Sequence, residues 1–159
     1  MCNVRATTAE DLEALSAVYI DAFAVVDPSE KWTSEKALAL LKFFLDKQPD
    51  LAFVAVEDGE IGGGICGLVK PWWDGNHLVE TELFVAPWCQ KRGIATLLFS
   101  HFLESAIAKH DASVVESVTF KCLEFPLSWY LELGFEAKQD WQVIFGDTRE
   151  VLSKLRKSA

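Results

Sequence analysis

The sequence predicts an α+β domain whose mixed, mostly antiparallel sheet is flanked by helices. Three observations lead to this fold class. Apolar residues recur at helical spacing in some segments and alternate with polar residues in others, and the two kinds of segment are interleaved along the chain. Asp58-Gly59 joins two alternating segments, as a two-residue hairpin turn does. A helical segment of crossover length separates two further strands, so the connections mix hairpins with crossovers.

The first third of the chain predicts one strand and two helices. A short β-type segment at residues 4–6 precedes Thr7 and Thr8, which suit a helix N-cap. A polar break at residues 27–30 separates the first helix from a second one, which begins at Ser34. The apolar residues of the first helix recur at helical spacing, at Leu12, Leu15, Tyr19 and Phe23.

Three strands follow in the central part of the chain. Residues 51–57 and 60–70 alternate on either side of the hairpin turn, and residues 77–85 form a third apolar, alternating segment. The three consecutive glycines at 62–64 indicate a bulge, a close backbone approach or a bend. Residues 71–76 join the second and third of these strands and contain two adjacent tryptophans.

The remainder of the chain predicts three helices and two strands. A helix covers residues 94–110, and the β-branched residues of 114–121 predict a strand. A short helix at residues 127–133 ends at a glycine. A last strand or strand pair is predicted at 135–145, and an amphipathic helix at 148–157. The complete order is β-α-α-β-β-β-α-β-α-β with a C-terminal helix.

Length and composition predict a globular protein with an acidic surface. The 159 residues have the length of one domain, residues 1–159, and half of them are hydrophobic. The formal net charge of −9 disfavours DNA or RNA as a partner and favours neutral or cationic ones. The sequence contains neither a signal peptide nor an apolar segment of membrane length, so we expect a cytoplasmic protein without a membrane partner.

The cysteines predict neither a metal centre nor a disulfide framework. No two of them form a C-x-x-C pair, and no histidine lies near them in the sequence. We therefore expect no bound metal and free thiols in a reducing compartment. The four residues are Cys2, Cys66, Cys89 and Cys122.

A strand, a basic turn and a helix follow one another in residues 81–96, TELFVAPWCQKRGIAT. The apolar strand stops at Pro87, and the polar turn Gln90-Lys91-Arg92-Gly93 leads into a helix that begins at Ile94. The first N–H groups of a helix lack carbonyl partners, and its N-terminus carries a partial positive charge. This arrangement predicts a site for a phosphate-bearing ligand.

Two motifs of the chain resemble those of the GCN5-related N-acetyltransferases, the GNAT family. The family carries Gln/Arg-x-x-Gly-x-Gly/Ala after a strand, and here QKRGIA at residues 90–95 follows such a strand. A second family motif, aromatic-Tyr-x-x-x-Gly-Phe, corresponds to WYLELGF at residues 129–135. The predicted element order also matches that of the family from residue 4 to about residue 145. The resemblance implies the GNAT fold and acetyltransferase activity.

The resemblance implies acetyl-CoA as the co-substrate. The backbone N–H groups of residues 91–96 would bind the pyrophosphate, and Gly93 would let the backbone approach it closely. The main chain of the preceding strand would pair with the pantetheine arm. We expect these backbone groups to matter more than the side chains of Lys91 and Arg92. The implied cofactor-binding residues are Leu83, Phe84, Val85, Gln90, Lys91, Arg92, Gly93, Ile94, Ala95 and Thr96.

Two residues are candidates for proton transfer, because an amine at neutral pH must lose a proton before it attacks a thioester. The resemblance places Tyr130 where the family has a tyrosine that donates to the sulfur of the coenzyme. Glu82 is the candidate base, and Glu80 or a water relay stays open as an alternative. Strand alternation puts Glu80 and Glu82 on one face, whereas a bulge would turn Thr81 to the substrate side.

The expected acceptor is a primary amine of a small, cationic molecule of the aminoglycoside or polyamine kind. An acidic protein with acidic and aromatic loop residues favours such a partner. Two alternatives stay open, namely acetylation of a protein N-terminus or lysine, and a binding module that senses acyl-CoA without turnover. A homodimer also stays open. The candidate acceptor-binding residues are Asp27, Trp32, Trp72, Trp73 and Glu80.

Overall fold

The computed structural model describes residues 2–121 and 123–158. The chain divides into two compact units, Met1–Val118 and Thr119–Ala159. That residues 1–159 form one domain stays a prediction. Cys2, Cys66 and Cys89 are free thiols, and Cys122 lies outside the described residues.

A five-stranded sheet organises the first unit. The strands lie in chain order, β1–β4 are antiparallel, and β5 pairs with β4 in parallel. The predicted α+β fold with a mixed, mostly antiparallel sheet is confirmed. Asp58 and Gly59 have φ of 52° and 90°, the positive values that the predicted hairpin turn requires. The strands are β1 (Asn3–Ala6), β2 (Ala52–Glu57), β3 (Glu60–Trp72), β4 (Gly75–Val85) and β5 (Ala112–Val115).

Helices α1 (Leu12–Val26) and α2 (Ser34–Lys47) cover one face of this sheet, and α3 (Ile94–His110) covers the other. Side chains of consecutive strand residues point to opposite faces. A side chain at Gly64 would collide with Leu15 of α1, and one at Gly63 would press on Leu98 of α3. The consecutive glycines of β3 therefore allow helices to pack closely on both faces. The core under α1 and α2 includes the buried residues Leu15, Tyr19, Leu41, Phe44, Val54 and Phe84.

A bulge in β4 decides which way its acidic residues point. Cys66 pairs with Glu82 and Leu68 pairs with Val79, so a step of two residues on β3 matches a step of three on β4. The extra residue is Glu80, with φ of 51°. Glu82 consequently faces α1. Thr81 lies on the α3 face instead, beside the space over Gly67 that Phe102 of α3 fills. The alternative with a bulge is thus realised, and that the bulge turns Thr81 to the substrate side stays a prediction.

The second unit contains α4 (Glu124–Glu132) and α5 (Thr148–Ser158), and the strand predicted at 135–145 is not formed. Residues 135–147 have no regular structure, and Trp141 and Phe145 are 75% and 95% exposed. An alternating apolar pattern records a preference for extended backbone, but a strand exists only where a second strand pairs with it. The alternating pattern at 135–145 is therefore not enough to predict a strand.

Three other boundaries differ from the predicted ones. β5 ends at Val115 and not at residue 121, because ladder pairing with β4 stops there. The turn between β3 and β4 is tighter than residues 71–76, since Trp72 still pairs with Gly75. α4 starts at residue 124, with Phe125 in a non-helical conformation.

Two features are absent from residues 2–121 and 123–158. None of the helices there has both the length and the apolar character that spanning a bilayer requires. No group of three or more His, Cys, Asp or Glu side chains in that part is placed to hold a metal ion.

Candidate active site

Within residues 2–118, the edge of β4 that faces away from β3 is unpaired, or open, in its second half. Pairing with β5 ends at Leu78, and within residues 2–118 no strand pairs with the rest of this edge. Backbone groups of consecutive strand residues point alternately to the two edges. Since the N–H of Ala86 donates to the carbonyl of Gly62 in β3 at 2.9 Å, those of Val85 and Leu83 point to the open edge. An extended polar ligand can bond to such an edge as a strand does.

Phe84 lies between these two residues but belongs to the core. By the same alternation its main chain faces β3. Its side chain is 4% exposed and packs edge-to-face against Tyr19, with ring centroids 5.0 Å apart. Of the three strand residues in the predicted cofactor site, the structure therefore brings the main chains of Leu83 and Val85 to the open edge.

The turn between β4 and α3 forms a concave array of backbone N–H groups. Lys91 and Gly93 have φ of 60° and 79°, and right-handed helical residues begin at Ile94. Alternation of left- and right-handed residues points neighbouring N–H groups to the same side. The first N–H groups of α3 also have no carbonyl partner within the helix. Gln90 joins the turn to the strand, its Nε2 donating to the carbonyl of Val85 at 3.2 Å. The array suits an anion.

The guanidinium of Arg92 is held by an acidic side chain of β2. Its Nη2 lies 2.7 Å from Oε1 of Glu57, which is only 8% exposed. The thiol of the buried Cys89 lies 3.6 Å from the other carboxylate oxygen, and burial raises the pKa of this thiol to about 11. Because Arg92 neutralises Glu57, this cation anchors the turn to the sheet. That the backbone N–H groups of the turn bind an anion more than the side chains of Lys91 and Arg92 do stays a prediction.

The carboxylate of Glu82 is half-buried beneath α1. Its Oε2 accepts a hydrogen bond from the hydroxyl of Tyr19 at 3.1 Å. Burial raises the pKa of Glu82, the bond from Tyr19 opposes that shift, and the carboxylates of Glu30 and Glu80 add to it. A carboxyl group whose pKa is moved towards neutrality is suited to exchanging a proton with a bound molecule.

The segment between α1 and α2 contributes Trp32 and Glu30 to these surroundings. The Trp32 ring stands edge-on to that of Tyr19, with centroids 5.0 Å apart, and its Nε1 donates to the carboxylate of Glu30. Asp27 closes the turn after α1 by accepting hydrogen bonds from the hydroxyl and the N–H of Ser29, which lower its pKa. Of the two acceptor-binding candidates in this segment, Trp32 is the one in contact with Tyr19.

Trp72 and Trp73 lie at the far end of the β3–β4 hairpin. Glu82 pairs with Cys66, and Trp72 is six residues further along β3, which is roughly 20 Å at the rise of a strand. Nζ of Lys70 stands 4.4 Å from the centre of the Trp72 ring, and Trp73 is 86% exposed. The structure does not bring these two tryptophans together with Glu82.

His77 fixes the place where β4 and β5 diverge. Its Nδ1 is in hydrogen-bond contact with Glu116, just after β5, and its Nε2 lies 2.8 Å from Asp74 in the hairpin turn. Nζ of Lys70 lies 4.0 Å from the same Glu116 carboxylate. The hydrogen bond to Glu116 raises the pKa of His77, and the bond to Asp74 adds to the effect. No local pattern in the sequence indicates this cluster, because Glu116 is 39 residues from His77.

The stabilisation due to His77 should be lost as the pH rises above about 6.5, its ordinary pKa. Its pKa is higher in the folded state than in the unfolded chain, so the contribution is complete below that value and disappears as the pH passes the folded-state pKa. Urea unfolding of the wild type and of His77→Gln between pH 6 and 9 measures this. The difference in unfolding free energy between the two proteins should shrink with rising pH. A difference independent of pH would contradict the role.

In the second unit, Tyr130 belongs to the cap that ends α4. The N–H of Phe135 donates to the carbonyl of Tyr130 and the N–H of Gly134 to that of Leu131, both at 3.0 Å. Gly134 has φ of 94°, and the rings of Tyr130 and Phe135 are 5.0 Å apart. These are the hydrogen bonds and the apolar contact of a Schellman motif. The spacing Tyr-x-x-x-Gly-Phe therefore has a structural cause of its own.

The sequence from residue 12 to residue 135 matches the model of the acetyltransferase (GNAT) family. The chain belongs to this family. It is an acyltransferase, and acetyl-CoA is its co-substrate. No curated protein matches the sequence.

Solved structures share the fold of this acetyltransferase. A transcriptional regulator from Bacillus halodurans C-125 has a TM-score of 0.74 at 17% identity, over 92% of this chain and 100% of that one. A predicted acetyltransferase from Clostridium acetobutylicum, crystallised with acetyl-CoA, has 0.67 at 16%, over 91% and 96%. An aminoglycoside acetyltransferase from an uncultured soil metagenomic sample has 0.64 at 20%, over 92% and 99%. At these identities the likeness shows the fold alone.

Proposed function

We propose that this acetyltransferase transfers the acetyl group of acetyl-CoA to a primary amine of a small, cationic acceptor, by direct attack in a ternary complex. The observation that carries the proposal is the half-buried carboxylate of Glu82, placed beside two further carboxylates and an aromatic cluster. Carboxylates and aromatic rings both attract an ammonium group. The net charge of −9 has the sign that draws such an acceptor to the protein.

Two features of the first unit fit acetyl-CoA, which supplies the acetyl group as an activated thioester. The N–H array of the turn, from Lys91 to Thr96, is suited to the pyrophosphate. The open edge of β4 offers main-chain groups of Leu83 and Val85 to the amides of the pantetheine arm, and an N–H there can polarise the thioester carbonyl. A Cβ added at Gly93 would meet no atom within 4 Å. The space beside the turn is therefore open to the ligand.

Replacement of Gly93 by Ala should weaken binding of acetyl-CoA about tenfold or more. Alanine meets no steric obstacle there, but its Cβ disfavours φ of +79° by about 1–2 kcal/mol, so the turn relaxes and the N–H array is lost. Calorimetric titration gives the affinity. The matched control is Gly59→Ala, with φ of +90° and equally open space. It should lose similar stability and keep wild-type affinity. Wild-type affinity in Gly93→Ala would exclude the array as the binding element.

In the proposed reaction, Glu82 accepts a proton from the ammonium group of the acceptor, and the amine forms a bond to the thioester carbon. The C–S bond then breaks, and Tyr130 gives a proton to the departing thiolate. Solvent takes up the second proton of the nitrogen and restores that of Tyr130. Glu30 and Glu80 attract the cationic acceptor, and Trp32 borders its site. Burial favours the neutral form of Glu82, so the carboxylate gains a proton at less cost than an exposed one. The role of Tyr130 rests on the family motif that surrounds it.

Thiol release from acetyl-CoA over a panel of amines tests the proposed function. The panel contains polyamines, aminoglycosides, neutral monoamines, and peptides with a free N-terminus or lysine. Aminoglycosides are included because the soil metagenome enzyme of the same fold is named for them. We expect turnover with the small polycations, and higher kcat/KM for these than for neutral amines of similar size.

Two results would overturn the proposal. Peptides acetylated in preference to every small amine would assign the chain to protein acetylation. Tight binding of acetyl-CoA without thiol release from any amine would make it a sensor of acyl-CoA.

A further inference from the structure

Tyr19 of α1 is in direct contact with the candidate base. The residue is 2% exposed, and its hydroxyl donates to Oε2 of Glu82 at 3.1 Å. Among the described residues, Tyr19 is the one hydrogen-bond partner of this carboxylate. Burial raises the pKa of Tyr19, so the phenol keeps its proton at every pH of interest and always acts as the donor. The contact joins residues 63 positions apart in the chain.

Three aromatic contacts hold the Tyr19 ring in place. Phe23 lies one helical turn further along α1, with a centroid separation of 4.4 Å. Trp32 and Phe84 each stand edge-on to the ring at 5.0 Å. Because a ring packed in this way cannot swing, its hydroxyl has a fixed position relative to β4. One oxygen of Glu82 is thereby fixed as well.

We propose that Tyr19 is a positioning residue for the acetyl-transfer reaction, holding Oε2 of Glu82 so that Oε1 faces the amine of the acceptor. This inference rests on the proposed function, in which Glu82 is the base. A carboxylate without this bond would rotate about its last torsion, whose preferences are broad. The bond thus selects one orientation of the base before the acceptor arrives, and pre-orientation of a reacting group accelerates the step that follows.

The hydroxyl also sets the pH at which Glu82 works. Burial raises the pKa of Glu82, and Glu30 from the α1–α2 segment and Glu80 from β4 act in the same direction. The bond from Tyr19 opposes these effects. Cys66, opposite on β3, has its own pKa raised by burial and by Glu82, and is therefore a neutral thiol. When the hydroxyl is removed, burial, Glu30 and Glu80 still raise the pKa of Glu82, and the hydrogen bond that lowered it is gone.

The substitution Tyr19→Phe keeps the ring and removes the hydroxyl. The acidic limb of the kcat/KM profile should move to higher pH by about one unit or more, because a hydrogen bond to a charged group is lost. At a pH below the limb, kcat should fall about tenfold, and most of this loss should be recovered at a pH above the limb. If the acidic limb of Tyr19→Phe stays at its wild-type pH, the inference is overturned, even if the activity of the variant is lower.

A control variant separates positioning from packing. Phe44→Leu changes a buried ring of α2 that is not among the ring contacts of Tyr19, so it should lower thermal stability and leave the limb at its wild-type pH. In the Glu82→Gln background, Tyr19→Phe should change kcat less than about twofold, since the residue acts through Glu82. A further tenfold loss in that background would assign Tyr19 a separate role.

A measurement without turnover distinguishes failure of this inference from failure of the proposed function. The 13C shift of the Glu82 carboxyl, followed by NMR against pH in free protein, reports its titration directly. The midpoint should be higher in Tyr19→Phe than in wild type. A higher midpoint together with wild-type kcat in Glu82→Gln would refute Glu82 as the base while upholding its control by Tyr19. Equal midpoints would refute that control.

Discussion

Replacement of Glu82 by Gln should lower kcat about 100- to 1000-fold at pH 7 and abolish the acidic limb of the pH profile. Glutamine has nearly the same shape but cannot accept a proton from an ammonium group. A base works only in its ionised form, so wild-type activity should rise as the pH passes the pKa of Glu82. Burial raises that pKa above its ordinary value. Steady-state kcat between pH 5 and 9, with saturating acetyl-CoA, measures both effects.

The matched comparison is Glu80→Gln, two residues away on the same strand. This variant should keep the limb and move it to lower pH, because the Glu80 carboxylate raises the pKa of Glu82 and glutamine does not. Loss of the limb in Glu80→Gln, with the limb retained in Glu82→Gln, would make Glu80 the base. A limb retained at its wild-type position in both variants would point to a water relay.

Replacement of Tyr130 by Phe should lower kcat about 10- to 1000-fold while the Kd of acetyl-CoA changes less than about threefold. Phenylalanine retains the ring that contacts Phe135, and the backbone hydrogen bonds of the cap do not involve the hydroxyl. The cap should therefore survive. A selective loss of kcat would then report the missing proton donor for the thiolate. Stopped assays of thiol release and calorimetric titration give the two quantities.

Phe135→Leu provides the control for structural damage. It weakens the apolar contact of the cap and leaves the Tyr130 hydroxyl in the chain. The free energy of unfolding should therefore fall while kcat stays near its wild-type value. Wild-type turnover in Tyr130→Phe would eliminate this residue as the acid. Equal losses of kcat in the two variants would assign the Tyr130 effect to the cap.

The sequence was sufficient wherever the information is local. Helical spacing predicted α1 to α3, the Asp58-Gly59 pair predicted a hairpin, and the order of strand, basic turn and helix predicted the N–H array around Gly93. The same holds for the cap of α4, because the five residues from Tyr130 to Gly134 and the Phe135 that follows determine it. The pattern failed at 135–145, where strand formation depends on a partner.

These local patterns do not predict contacts between residues that are far apart in the sequence. Nothing in the spacing of Arg92 and Glu57, 35 residues apart, indicates that they form an ion pair. In the sequence, Tyr19 is one of several apolar positions of an amphipathic helix. Only the fold brings its hydroxyl within hydrogen-bond distance of Glu82. The orientation of Glu82 itself depends on a single inserted residue, Glu80, and alternation alone could not locate that insertion.

The open edge of β4 also affects how the protein behaves in the absence of its co-substrate. An exposed strand edge is a template for pairing with a strand of another molecule, and thus a starting point for aggregation. The bulge at Glu80 and the carboxylate of Glu82 interrupt this edge, and both devices are known to discourage such pairing. A bound ligand would complete the protection by occupying the edge. By the proposed binding mode, acetyl-CoA occupies this edge and so protects the enzyme against such pairing.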